Sequence, residues 1–213
     1  PDECFDNLED YPFEPNYIDI EHDDQTLRMH FLDENSESEE IVLLMHGEPT
    51  WSYLYRKIIP ILVSNGKRVI APDLIGFGKS DKPSSREDYS YANHIMWVES
   101  LLKKLNLKNI IFFAQDWGGL IGLRLLAKYP DLYDGLVVSN SGLPVGSGAT
   151  EGFMQWLDFS QNIKDFDCGK IVNQGSLKQL SEAEIAAYNA PFPDDSYKAG
   201  PRVFPTLVPI TKE

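Results

Sequence analysis

Five consecutive apolar residues, Ile41–Met45, stand between a Glu-Glu pair and His46-Gly47. A run with no polar alternation fits a strand covered on both faces, and such strands belong to parallel sheets. Shorter apolar runs recur at Val69–Ala71, Ile110–Ala114 and Gly135–Ser139. Amphipathic helical stretches fall between them at Tyr53–Ser64, Tyr91–Leu105 and Gly118–Tyr129. Upstream, Asn16–Ile20 and Leu27–Leu32 flank D-D-Q and predict an antiparallel hairpin at one edge. The chain therefore predicts an α/β architecture, a mostly parallel doubly wound sheet of about six strands.

After Gly142 the pattern changes. P-V-G-S-G-A-T reads as a connector, followed by short helical pieces at Gly152–Ser160 and Ser181–Ala187 with no further apolar strand run. Ser181 and Glu184 have the spacing of a capping box. Residues 1–142 are thus expected to form the core, and 143–213 a helical cap with an incomplete C-terminal part of the core.

Charge narrows the partners. With 33 acidic against 19 basic side chains in 213 residues the net charge is −14, which repels nucleic acid and anionic membranes and favours a neutral or cationic small molecule. Cys4 and Cys168 lack metal-ligand spacing, so neither a metal nor a disulfide framework is expected. No cofactor motif is met: G-F-G-K-S has Asp73 where a phosphate-binding loop needs glycine. No apolar run reaches the ~20 residues of a membrane span, and no leader is evident, so a cytoplasmic monomer is expected.

Chemistry is sought just after the strands, where open α/β sheets bind ligands. After Ile110–Ala114 comes Q-D-W-G-G, with the form of a nucleophile elbow: small residues Ala114 and Gly118 flank a tight turn that carries Asp116. On this stretch alone Asp116 reads equally well as a helix cap and Trp117 as a core residue. After Ile41–Met45 comes H-G-E-P-T-W-S-Y-L-Y-R, whose loop can supply a backbone N–H beside the nucleophile. His46 is read as a core histidine satisfied by backbone, Lys79 and Lys82 as solvated. In G-F-M-Q-W, Phe153 and Trp156 share a helical face, and Trp156 carries an indole N–H that needs a partner when buried.

Taken together, H-G-E-P-T-W-S-Y-L-Y-R, A-P-D-x-x-G-F-G-K-S-D-K-P, Q-D-W-G-G and A-P-F-P-D-x-S-Y resemble the haloalkane dehalogenases of the α/β-hydrolase superfamily, over nearly the whole chain. The resemblance implies a haloalkane substrate, a halide product, and water as second reactant. It implies Asp116 as nucleophile forming an alkyl ester. Trp117 and Trp156 would hold the halide with Glu48 beside them, backbone N–H groups of Glu48 and Trp117 would form the oxyanion hole, and Phe153 would line the pocket.

The resemblance also implies a histidine base and an acid C-terminal to the cap, and none of His22, His30, His46 or His94 matches that base. The chain is therefore expected to hold about six of the family's eight strands and to stop before both residues. Two alternatives follow: an epoxide hydrolase, using Tyr188 and Tyr197 as lid donors, or an inactive fragment acting only as a ligand-binding or structural product.

Overall fold

The computed structural model describes Asp2–Lys212. Its sheet has six strands: β1 (Asn16–His22), β2 (Gln25–Glu34), β3 (Ile41–Met45), β4 (Arg68–Pro72), β5 (Ile110–Gln115) and β6 (Tyr133–Ser139). Their order is β1-β2-β4-β3-β5-β6. The β1–β2 and β2–β4 pairs are antiparallel; β4–β3, β3–β5 and β5–β6 are parallel. The sequence expectation of a mostly parallel sheet with an edge hairpin is met.

β3 lies at the centre of the parallel part, and its alternation shows why it is apolar throughout. Ile41, Leu43 and Met45 enter one core with Ile70, Phe112, Trp97 and Ile121, while Val42 and Leu44 enter a second core with Val69, Trp51 and Ile59. Successive side chains of a strand point to opposite faces, so a strand with helices on both sides has no polar face. Helices α2 (Tyr91–Lys104) and α3 (Asp116–Lys128) cover the first face; α1 (Ile59–Ser64) covers the second.

Two differences from the sequence reading have local causes. The stretch Tyr53–Ser64 is a 3-10 turn, Ser52–Tyr55, followed by the separate α1, because Pro60 has no N–H to donate and fits only the first helical turn. The third helix starts two residues earlier than predicted, on Asp116 itself.

Beyond residue 142 the described residues form four α-helices: α4 (Glu151–Asn162), α5 (Cys168–Gln174), α6 (Glu182–Asn189) and α7 (Ala199–Leu207). Ser181 and Glu184 form the full capping box ahead of α6. Sequence reasoning missed α5 and α7. The second contains Gly200, Pro201 and Pro205, all poor helix residues, yet Pro201 lies in the first turn, and Ala199, Val203, Phe204 and Pro205 are buried. Burial of one face outweighs propensity here. No helix among the described residues is long and apolar enough to cross a membrane.

The loops after β3 and β4 are tied together by Asp73. Its carboxylate accepts from Ser52 N at 2.7 Å and Lys79 N at 2.8 Å, and pairs with His30 Nδ1 at 2.7 Å, with both side chains fully buried. Burial alone would push the carboxyl up, but His30, then His46 and the Lys79 N–H, hold it well below the usual carboxylate range. Removing one member of a buried pair typically costs ~3–5 kcal/mol. Asp73→Ala is expected to lose about that much in urea denaturation, with the slope against denaturant unchanged.

Candidate active site

The site begins at a corner that only particular residues can turn. β5 runs into α3 through Asp116, whose φ is +47°, in the left-handed region that costs a residue with a Cβ atom. The strain is held from both sides: Asp116 N donates to Asn140 O at 3.2 Å, and Ser141 Oγ donates to Asp116 O at 2.7 Å. Asp116 therefore does not cap α3; Gln115 occupies that position without a side-chain bond.

Two glycines make the corner fit. A Cβ on Gly118 would stand 2.2 Å from Met45 O, so α3 could not pack its first turn on the end of β3. A Cβ on Gly47 would stand 2.1 Å from Asp116 Oδ1. The bare backbone at Gly47 lets the next N–H, that of Glu48, reach Asp116 Oδ1 at 2.8 Å.

The surrounding residues converge on one cavity of about 150 Å³, lined by Glu48, Asp116, Trp117 and Leu120 and by Phe153, Trp156, Pro205 and Val208. The five side chains singled out from the sequence are all here. The three it missed are Leu120, one turn into α3, and Pro205 and Val208, at and after the end of α7. Leu120 could have been found from its i+4 spacing to Asp116; the other two were hidden with their proline-bearing helix.

Trp117 is only 3% exposed and is held by rings on two sides, Phe204 at 4.6 Å and Tyr91 edge-on at 5.6 Å. Trp156 comes from α4, half-buried, with Phe159 and Phe166 against its ring. Two indoles thus approach one small space that also holds two carboxyl groups.

Those carboxyls have different surroundings. Burial pushes Asp116 above the ordinary range, while backbone N–H groups of Trp117 and Glu48 hold it down. Glu48 is pushed well above its range by burial and then by the nearby Asp116 charge, with Trp156 offsetting part of this. Its Oε1 is buried without a hydrogen-bond partner.

Other candidates lie elsewhere. His46 is fully buried, its Nε2 accepting from Leu74 N at 2.9 Å and its Nδ1 3.0 Å from Gly47 O, and burial lowers its pKa. His94 is pulled to about 3 by burial, among Tyr89, Trp97 and Phe204. His30 is spent on Asp73, and His22 packs edge-on against Trp97. None of the four histidines lines the cavity. Tyr188 packs on Tyr53, and Tyr197 lines a different cleft. Asn140 supports the corner through its carbonyl. Lys82 is not solvated as expected: its ammonium donates to Gly78 O at 2.6 Å and Ser80 O at 2.9 Å. Among the described residues no three His, Cys, Asp or Glu side chains are grouped to hold a metal ion, and Cys4 and Cys168 are unpaired.

Residues 40–166 match the family described as alpha/beta hydrolase fold. A haloalkane dehalogenase of Psychrobacter cryohalolentis is 54% identical, over all of this chain and 71% of its own length. One from Mycolicibacterium paratuberculosis is 50% identical over 99% of this chain and again 71% of its own. The solved haloalkane dehalogenase DpaA from Paraglaciecola agarilytica superposes with a TM-score of 0.94 at 39% identity, covering 99% of this chain and 71% of that one. DpaA is described as tetrameric, where the sequence reading of this chain expected a monomer.

The carboxyl pair makes stability depend on pH in a defined direction. Above the ordinary glutamate range the unfolded chain has lost the Glu48 proton while the folded protein keeps it, so unfolding releases a proton and stability falls as pH rises towards the folded value. Glu48→Gln removes this titration. Its unfolding free energy relative to the parent is expected to grow as pH is raised from about 4 to about 8 in urea denaturation series. A difference that stays flat would mean Glu48 ionises as freely in the fold as outside it.

Proposed function

The chain belongs to the haloalkane dehalogenases, hydrolases of the α/β-hydrolase fold that act on carbon–halide bonds, and on that premise we propose that its 150 Å³ cavity displaces halide from short haloalkanes through Asp116. The observation that carries this is the meeting of Asp116, Trp117, Trp156 and Glu48 in one cavity, with Asp116 Oδ1 already on the Glu48 N–H.

With Oδ1 engaged, Oδ2 is the oxygen free to attack. It forms a bond to the halogen-bearing carbon as the carbon–halogen bond breaks and the halide leaves with the electron pair, giving an alkyl ester on Asp116. The indole N–H groups of Trp117 and Trp156 meet the departing anion, and a protonated Glu48 adds no opposing charge. The apolar wall of Phe153, Leu120, Pro205 and Val208 selects a small apolar substrate and keeps water from solvating the nucleophile.

Hydrolysis of the ester needs water to attack the Asp116 carbonyl carbon. The negative oxygen then formed sits at Oδ1, against the Glu48 N–H, with the Trp117 N–H beside the same carboxyl, before the alcohol leaves. That attacking water needs a base, and no histidine is among the residues lining the cavity. We therefore assign to this chain the first, alkylating half of the reaction. In the same reading residues 143–213 act as the cap, since α4 brings Phe153 and Trp156 over the end of the sheet. The tyrosines that an epoxide hydrolase would need lie outside the cavity, which favours the halide reading.

The chain mixed with 1,2-dibromoethane is expected to release one equivalent of bromide and to gain one bromoethyl group by intact mass, located on Asp116; Asp116→Ala should do neither. Trp156→Phe should slow the burst by about 10², the scale of losing one preorganised donor. Bromide release equal in the parent and Asp116→Ala would sink the assignment, and sustained turnover would return the second half-reaction to this chain.

A further inference from the structure

A second cleft, of about 170 Å³, opens between the N-terminal turn, the β1–β2 hairpin and the loop after β4, and shares no lining residue with the reaction cavity. Three cations line it: Arg28, Lys79 and Lys82. Among the described residues none of them is in an ion pair, although eight other basic side chains are, in addition to His30. Their direct contacts are with rings and carbonyls. The Arg28 guanidinium lies 4.4 Å over the Tyr17 ring, and the Lys79 ammonium 5.3 Å over Phe5. Lys82 has the two carbonyls already named and keeps a third N–H; burial lowers its pKa to about 8 against the opposing pull of Asp73 and Asp81.

Asp2 and Asp81 also line the cleft, but Asp81 Oδ2 already accepts from Arg28 N at 2.7 Å. Three cations therefore face two carboxylates in a chain whose net charge is −14, so the local excess runs against the whole molecule. The buried Lys82 ammonium feels the Asp73 and Asp81 charges but hydrogen-bonds only to carbonyls, and an anion bound in the cleft would add a charge-assisted bond to its free N–H. The guanidinium fork suits two oxygens of one group, and the Tyr197 ring forms a wall.

We propose that this cleft is a binding site for a small oxyanion of the carboxylate or phosphate type, held by Arg28, Lys79 and Lys82. The volume admits such a group. Because the cleft is separate from the reaction cavity, the outcome is independent of the dehalogenation reading.

The test titrates the chain with phosphate, and separately with acetate, at constant ionic strength kept with chloride, following backbone amide resonances. Saturable shifts confined to Arg28 and the Lys79–Lys82 loop are expected with at least one of the two, and which one saturates assigns the class. Arg28→Gln and Lys79→Gln should each weaken binding roughly tenfold, the scale of one charge-assisted hydrogen bond. Arg28 is exposed and Lys79 half-buried, and an unchanged far-ultraviolet spectrum checks that both variants fold. Shifts linear in concentration for both anions, or unchanged affinity in both variants, overturn the proposal and leave only surface charge.

Discussion

Everything at the cavity end of this sheet depends on one contact, the 2.8 Å hydrogen bond from Glu48 N to Asp116 Oδ1. It joins residues 68 positions apart, from loops that follow two adjacent parallel strands. It is possible only because β3 and β5 are in register up to Met45 and Ala114, so both chains leave the sheet at the same level. Gly47 leaves room for the carboxylate, and the left-handed φ at Asp116 turns the side chain towards it. A side chain on Gly47 or a relaxed backbone at Asp116 would each break the contact.

The rest of the polar interior fixes the loop that donates this bond. His46 Nε2 accepts from Leu74 N, and Tyr55 Oη donates to Met45 O, so the chain just before Gly47 is pinned to β4's exit and to its own following turn. Thr50 N and Oγ1 both donate to Gly47 O, closing the loop. Asp73 holds Ser52 N on the far side. These are buried charges and dipoles that specify geometry at a cost in desolvation, and each is satisfied by a backbone partner. His46 belongs to this frame; its low pKa and two occupied nitrogens leave it no role in proton transfer.

The sheet was legible in the sequence because its signals are local. Ile41–Met45 declares a doubly covered strand, and Ser181 and Glu184 declare a helix start, with no need for distant residues. The corner at Asp116 was legible only in combination, since a helix beginning with aspartate and an elbow carrying one share the same letters. What decides between them is Gly47, whose importance comes from a contact 69 residues away. The helix Ala199–Leu207 was illegible for the opposite reason: its local signals, two prolines and a glycine, are wrong, and only burial of Phe204 and Pro205 against the rest of the molecule makes it helical. Pro205 and Val208 were therefore missed as walls of the cavity. Lys82 was misread because its ligands are carbonyls, which a sequence does not display.

The two carboxyls of the cavity show how one dry space can assign opposite states to similar groups. Burial raises both, and if both ionised they would repel at short range in low dielectric. The protein breaks the symmetry with backbone donors. Asp116 receives N–H groups from Glu48 and Trp117, which favour its charged form; the Glu48 carboxyl receives none among its backbone neighbours and is raised further by the charge it faces. These opposing influences favour the negative charge on Asp116, the group at the strained corner, and the proton on Glu48. Under the proposed chemistry this is the useful assignment. The nucleophile must be an anion, and the group beside the leaving halide must not be one. A Glu48 supplied with its own backbone donors would compete for the charge, so its lack of partners at Oε1 helps to leave that charge to Asp116.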